Sequence, residues 1–266
     1  MFSGTDAHNT KLKARDKGSL VTAVLLGRSP SIPMRPKVAV LIPTINEEST
    51  IGRVIDKIPM RALSDDGYDT TAYVVDGGSS DATQKIALEK GATVLLVTQP
   101  GKGSAIQHAF SSITADCFIM IDGDDTYPAE RIAEFTRLLR EYDVVVGSRL
   151  KGRIEDGAMT RTNLFGNWVL TVLARTLFKR EISDVCTGFW GYRDYVVNRM
   201  RLVARGFEIE ADMFIECARL GFSIRDVPIN YHKRVDRPKL SSIHDGLKIG
   251  LFLLKRRIAG DWRREI

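Results

Sequence analysis

Cysteine and histidine are both scarce, and those present are scattered. Cys117, Cys186 and Cys217 show no CxxC spacing, which excludes a zinc ribbon and a disulfide framework and leaves reduced thiols in a cytosolic protein. His8, His108, His232 and His244 form no constellation that would single one out as a catalytic base. Long hydrophobic runs are missing too. No stretch approaches the ~20 apolar residues that span a bilayer, so an integral membrane protein is not expected. A complete Walker A sequence and a GxGxxG fingerprint are absent, as is any internal repeat. The short apolar patch from Leu20 to Leu26 has no clean small-residue cleavage site after it and does not read as a signal peptide.

The chain has 266 residues and is 44% hydrophobic, enough to bury one large core in one or at most two domains. Its 39 basic residues against 33 acidic ones give a formal charge of +6, which suits polyanionic partners: phosphates, anionic lipid or nucleic acid. Residues 1–36, polar and basic at first, read as a mobile N-terminal extension.

The most informative stretch is Phe118-Ile119-Met120-Ile121-Asp122-Gly123-Asp124-Asp125-Thr126-Tyr127-Pro128, an apolar run that ends in three acids and a proline. Such a run reads as a fully buried strand whose carboxylates appear at its C-terminal end, the end at which open α/β sheets bind ligands. Asp122 and Asp124 are two apart, so on an extended backbone they point to the same side. Two converging carboxylates repel one another unless a cation lies between them. Hard oxygen ligands favour Mg²⁺ or Mn²⁺, held by one or two carboxylates together with substrate phosphates. For an isolated Asp-Gly-Asp a solvated acidic turn would be the better explanation; the surrounding pattern favours the metal.

Three more apolar runs share this design. Lys37–Pro43 exits into Pro43-Thr44-Ile45-Asn46-Glu47-Glu48, Thr71–Val75 into Asp76-Gly77-Gly78-Ser79, and Thr93–Val97 into Gly101-Lys102-Gly103. Helical spacing follows each one, and the alternation continues through a helix from Ala129 to Arg140 and a strand ending in Gly147-Ser148-Arg149. It predicts an α/β domain with a Rossmann-like, mostly parallel sheet flanked by helices. An acid followed by glycines at a strand end, as at Asp76, is how α/β folds hold a nucleotide, and Lys102 at a helix start is a candidate phosphate contact. Beyond Arg149 come a charged, Gly-rich loop, an apolar helix from Leu164 to Phe178, the segment Asp184–Arg193, a helix beginning near Phe207, a strand from Ser223 to Ile229 and a basic amphipathic helix from Ile243 to Trp262.

In this order the motifs resemble family 2 glycosyltransferases of the GT-A fold, in particular those that use dolichyl or polyprenyl phosphate as acceptor. The resemblance runs from about Pro36 to Lys255. It implies a single GT-A domain over residues 37–242, followed by an amphipathic segment over 243–266. It assigns Pro43, Asn46 and Glu47 to a first nucleotide loop, Asp76 to base or ribose, Lys102 to a Gly-Lys-Gly site, and Asp122 and Asp124 to the DxD motif for metal and sugar nucleotide. In the acceptor half it assigns Arg149 and Arg161 to the acceptor phosphate. Thr187-Gly188-Phe189 matches a turn, Glu208 or Glu210 an acid opening a helix, and Arg234 and Lys239 the C-terminal loop. The sequence around Lys239 departs from the family's pattern, lacking the glycine and serine expected there.

The implied reaction is an inverting, metal-dependent transfer from a nucleotide sugar to a lipid phosphate. A phosphate monoester needs no catalytic base, because its second pKa lies near ~6 and it is already nucleophilic at neutral pH. That agrees with the lack of a histidine constellation. The resemblance slightly favours a UDP-sugar over GDP-mannose as donor. Lacking membrane-spanning helices, such an enzyme would work peripherally on the cytoplasmic face of a membrane, with Ile243, Leu247, Ile249, Leu251, Leu253 and Leu254 in contact with lipid and Lys248, Lys255, Arg256 and Arg257 on its headgroups. Packing of that helix on the protein's own core is the competing expectation. Two other functions compete as well. One is a retaining transferase of the same fold acting on phosphoglycerate. The other is a non-catalytic nucleotide- or nucleic-acid-binding module, which would not need the Asp122/Asp124 pair.

Overall fold

In the first strand, β1 (Lys37–Thr44), successive side chains fall into two different hydrophobic layers. Ala39 and Leu41 belong to one, while Val38, Val40 and Ile42 belong to the other. A strand needs apolar residues on both faces only when both faces are covered, which is why its sequence is a continuous run and not an alternation. The same division recurs in β4 (Cys117–Met120), with Phe118 and Met120 on one side and Ile119 on the other, and in β5 (Val144–Ser148), where Val145 opposes Val144 and Val146.

The computed structural model describes Met1, residues 35–236 and residues 242–260. Among them, β2 (Asp69–Asp76), β3 (Thr93–Leu96), β6 (Trp190–Arg193) and β7 (Ile224–Pro228) complete a seven-stranded sheet of order β3-β2-β1-β4-β6-β5-β7. Every neighbouring pair is parallel except those made by β6, which runs antiparallel to both β4 and β5. One layer of helices comprises α1 (Ile51–Asp56), α2 (Met60–Asp65), α3 (Thr83–Glu89) and α5 (Ile132–Leu138). The other comprises α4 (Lys102–Ser112), α6 (Arg161–Phe178), α7 (Asp194–Arg199), α8 (Ile209–Leu220) and α9 (Ser242–Ala259). The helix expected over Ala129–Arg140 begins as a 3₁₀ turn, Ala129–Arg131, before becoming α5.

The mostly parallel α/β architecture is therefore as the sequence predicts, with β6 as the addition. Trp190-Gly191-Tyr192-Arg193 is short and interrupted by glycine, too weak a pattern to read as a strand. Its register, Met120 opposite Trp190 and Val146 opposite Trp190, brings the turn that precedes it to the C-terminal ends of β4 and β5. No described helix is long and apolar enough to cross a membrane.

The last helix, α9, packs against α6 and α8. Ile249 and Leu253 are buried in the core, and so is Arg256, which is 7% exposed. This corrects the expectation that these three residues meet lipid. The apolar face of α9 is wider than one contact, and its inner half is used by the protein itself. Leu247, Leu251, Leu254 and Ile258 remain exposed on the opposite side.

Candidate active site

The ends of β1, β2 and β4 and the start of α4 converge on the acidic loop. Asp122 and Asp124 leave β4 together, but each meets a different cation. The Lys102 ammonium lies 2.5 Å from Asp122 Oδ1 and 2.5 Å from Glu210 Oε1 at the start of α8. The Arg234 guanidinium, from the segment after β7, lies 3.1 Å from Asp124 Oδ2 and 2.9 Å from Glu47 Oε1. Four carboxylates thus surround two cations.

The electrostatics follow from this crowding. Burial raises the Asp124 pKa and the Asp122 charge adds to the rise, while Arg234 and the hydrogen bonds from Thr126 offset part of it. Glu210 is raised for the same reasons, burial first, with Lys102 opposing. Burial alone would lower the Lys102 pKa, but Asp122 and Glu210 outweigh it and the ammonium is held charged. The surplus of acid fits a divalent cation. Asp122 and Asp124 are candidate oxygen donors for it, and Mg²⁺ or Mn²⁺ sites of this kind complete their shell with substrate phosphates. Among the described residues no cluster of three or more His, Cys, Asp or Glu side chains forms an all-protein metal cage.

The loop after β1, expected to bind nucleotide, is laced to the loop after β2. Asn46, with φ of 51°, accepts from the Ser80 amide through Oδ1 at 2.8 Å, and its own amide donates to Ser79 Oγ at 2.8 Å. The Glu47 amide donates to Thr83 Oγ1 at 2.8 Å, and Glu48 accepts from the Ala82 amide at 2.9 Å. Asp76 is fully buried and accepts from the amides of Gly78 and Ser79, the Ser79 hydroxyl and Gln84 Nε2. Its carboxylate shapes the Gly77-Gly78-Ser79 turn. Pro43 is half-buried beside it, at the end of β1. Thr50 Oγ1 donates to the Gly123 carbonyl at 2.8 Å, tying this loop to the DxD turn.

Gly188 explains the Thr187-Gly188-Phe189 motif. A Cβ on Gly188 would lie 2.2 Å from Asp122 Oδ2, so only glycine lets the turn before β6 pass the carboxylate. Its amide donates to the Tyr127 hydroxyl at 2.7 Å. Tyr127 packs edge-on against Tyr231, whose ring lies under the Arg149 guanidinium.

The described cations expected on the acceptor side, Arg149, Arg161 and Arg234, have different partners. Arg149 is 6% exposed and bidentate to Asp184, Nε to Oδ2 at 2.7 Å and Nη2 to Oδ1 at 2.8 Å. Burial alone would lower its pKa, but Asp184 outweighs it and the guanidinium stays charged. Arg161 is exposed at the first turn of α6, after the Thr160 cap. Lys239 lies outside the described residues. Of the three that are described, Arg234 is the one with an ion pair to the acidic loop. Glu208, the other acid weighed with Glu210, is the N-cap position of α8, whereas Glu210 reaches Lys102. Sequence reasoning assigned no role to Asp184, Tyr127 or Tyr231. Asp184 opens the segment that ends in the Thr-Gly-Phe turn, and an acid so close to a motif rich in buried aromatics is the signal that would have marked it.

His108 and His244 are exposed; the His232 amide donates to the Thr126 carbonyl of the acidic loop at 2.9 Å while its Nδ1 turns to Glu155 Oε2 at 3.5 Å, so no described histidine side chain is bonded to Asp122 or Asp124.

Residues 39–201 match a family model described as glycosyl transferase family 2. Glycosyltransferase AglJ of Haloferax volcanii is 34% identical over 229 residues, covering 85% of this chain and 73% of that protein. Dolichyl-phosphate hexose transferase of the same organism is 33% identical over 219 residues, covering 82% and 92%. A crystal structure of glucosyl-3-phosphoglycerate synthase from Mycobacterium tuberculosis, in complex with Mn²⁺, UDP and glucosyl-3-phosphoglycerate, superposes with a TM-score of 0.68 at 23% identity, over 84% of this chain and 80% of that one. At that identity the likeness speaks to the fold.

Proposed function

The chain belongs to glycosyl transferase family 2, and on that premise we propose that it transfers a sugar, with inversion, from a nucleotide sugar to a polyprenyl (dolichyl-type) phosphate at a membrane surface. The observation that carries this reading is the pair Asp122 and Asp124, held at the strand edge between Lys102 and Arg234 with no described histidine side chain bonded to either. Glu47, Asp122, Asp124 and Glu210 are each engaged by a cation, which leaves none of these carboxylates idle as a base for a sugar hydroxyl. A phosphate monoester acceptor needs none. The name of the dolichyl-phosphate hexose transferase among the relatives points the same way.

In this mechanism an oxygen of the acceptor phosphate attacks the anomeric carbon, the bond from that carbon to the nucleoside diphosphate breaks, and its electron pair leaves on the diphosphate. Attack from the face opposite the leaving group inverts the centre. A Mg²⁺ or Mn²⁺ held by Asp124 and Asp122 would supply Lewis-acid stabilisation of the departing diphosphate. Lys102 adds a fixed positive charge beside it, and Arg234 holds Asp124 and Glu47 in register. The loops ending in Pro43, Asn46, Glu47 and Asp76 form the base and ribose pocket, with UDP favoured over GDP. Arg149, Arg161 and Lys239 serve the acceptor side.

The membrane part rests on two outward stripes. Leu247, Leu251, Leu254 and Ile258 on α9 are flanked by Lys248 and Lys255; Leu164, Phe165, Trp168, Val169 and Val172 on α6 lie between Arg161 and Arg175. Apolar residues bordered by cations suit an anionic cytoplasmic leaflet.

The test offers UDP- and GDP-sugars to the protein with a short-chain polyprenyl phosphate and Mn²⁺, and looks for a charged sugar-lipid with inverted anomeric configuration. Transfer to phosphoglycerate in preference to the lipid phosphate would overturn the reading.

A further inference from the structure

The structure buries a second group of charges, which no step above uses. Asp212, Glu216 and Arg219 from α8 and Arg256 from α9 are exposed by 0%, 1%, 8% and 7%. Arg256 bridges the two acids, with Nη1 on Asp212 Oδ1 and Nη2 on Glu216 Oε1 at 2.7 Å, and Arg219 Nη2 meets Glu216 Oε2 at 2.7 Å. The cluster is neutral as a whole. An apolar cluster of the same volume would join α8 to α9 at least as well, so these charges need another reason.

That reason lies at the remaining oxygen of Asp212. Oδ2 accepts from the amides of Val203 at 2.6 Å and Ala204 at 2.9 Å. The next carbonyls along this segment hold the start of α4: Arg205 O accepts from the Ser104 amide and Gly206 O from the Gly103 amide, each at 3.1 Å. Gln107 Nε2 donates to Ala204 O at 2.7 Å. A Cβ on Gly101 or Gly103 would lie 2.2 Å from the carbonyl oxygen of Arg205 or Ala204, so the two backbones are in contact. Lys102 is flanked by these two glycines. Its first-turn neighbours spend their amides on the 203–206 segment and offer none to a phosphate.

We propose that Asp212 and Arg256 are positioning residues for Lys102, acting through the 203–206 segment on which the Gly101-Lys102-Gly103 turn rests. Arg256 orients the Asp212 carboxylate, Asp212 fixes the amides of Val203 and Ala204, and the carbonyls beyond them set the height of Lys102 against Asp122. The last helix of the chain is thereby coupled to the donor site. The proposal rests on the reading that Lys102 contacts the donor diphosphate.

The test is a double-mutant cycle on the full-length protein, read by calorimetry with UDP and with GDP in the presence of Mn²⁺. Arg256→Met is expected to weaken nucleotide binding about 10-fold, within the range for coupled residues of one network. Lys102→Met should weaken it too, and the double variant should bind no more weakly than Lys102→Met alone. In turnover Arg256→Met should raise the KM for the nucleotide sugar and also lower kcat, because Lys102 acts on the departing diphosphate, while the KM for the acceptor stays unchanged. Arg256→Lys, which can serve one acid at a time, should restore part of the loss. If Arg256→Met does not give a cooperative melt, Arg256→Lys and Asp212→Asn take its place in the cycle. Wild-type affinity in the Arg256 and Asp212 variants, or losses that simply add to that of Lys102→Met, would overturn the positioning role and leave the donor reading intact. Unchanged nucleotide binding in Lys102→Met would overturn the donor reading, and the positioning role with it.

Discussion

Arg234 holds Asp124 and Glu47 with the two ends of one guanidinium, at 3.1 Å and 2.9 Å, although Glu47 and Arg234 lie 187 positions apart in the chain. The contact closes the acidic loop against the loop after β1. Replacing Arg234 by Met removes the charge and keeps much of the length, so both acids lose a fixed partner. Truncation of a largely desolvated, hydrogen-bonded charge costs about 2 kcal/mol or more, or about 30-fold in kcat/KM. Steady-state kinetics with the nucleotide sugar varied checks it; an unchanged kcat/KM would show that Arg234 is only a surface cation.

In the proposed mechanism metal dependence turns on Asp124. Asp124→Asn keeps the hydrogen bonds from Thr126 feasible and the shape of the loop, but removes the charge that would hold a divalent ion. The expected loss in kcat is about 10³-fold, with a cooperative thermal melt retained. Wild-type protein stripped with EDTA should fall to the level of the variant and recover with Mn²⁺, whereas the variant should not recover.

Gly188→Ala makes a purely steric test of the acidic loop. Its Cβ would meet the Asp122 carboxylate at 2.2 Å, and Gly188 is pinned by its bond to Tyr127, so Asp122 must move. Overpacking of this kind costs about 1–3 kcal/mol. Activity should fall more steeply than the melting temperature, and a variant with full activity would mean that the Asp122 rotamer seen here is not the working one.

Asp143 links pH to stability away from the site. Burial would raise its pKa, but hydrogen bonds from Tyr195 and Ser223 outweigh it and hold the carboxyl below its ordinary value. A depressed folded-state pKa contributes stability above the unfolded value of ~3.9, and that contribution is lost as pH falls through the folded-state pKa. The group is largely open to solvent, which screens the effect. Asp143→Asn should therefore lower the melting temperature at neutral pH and converge on wild type in strong acid; a constant difference across the whole range would rule out the linkage.

The sheet and the catalytic edge were legible in the residues because their causes are local. A strand covered on both faces must be an uninterrupted apolar run, so β1, β2, β4 and β5 announce themselves, and whatever polar groups follow such a run stand at its end. That logic brought Glu47, Asp76, Lys102, Asp122 and Asp124 to one edge before any contact was known. The packing of α9 on the core was legible too, as one of the two expectations for its apolar face.

What only the tertiary structure decided is who pairs with whom. β6 is short and broken by glycine, and its place between β4 and β5 goes with packing between distant segments, Phe135 stacked on Phe189 and Phe110 edge-on to Tyr192, which no local period encodes. That placement sets Gly188 against Asp122. Similarly, Arg149 turns inward to Asp184 while Arg234 reaches the acidic loop, and Arg256 joins the core while Lys255 beside it stays exposed. An arginine looks the same in a sequence whether it will be buried or solvated. Its partner is chosen by strand order and helix docking, and those are non-local properties of the whole chain.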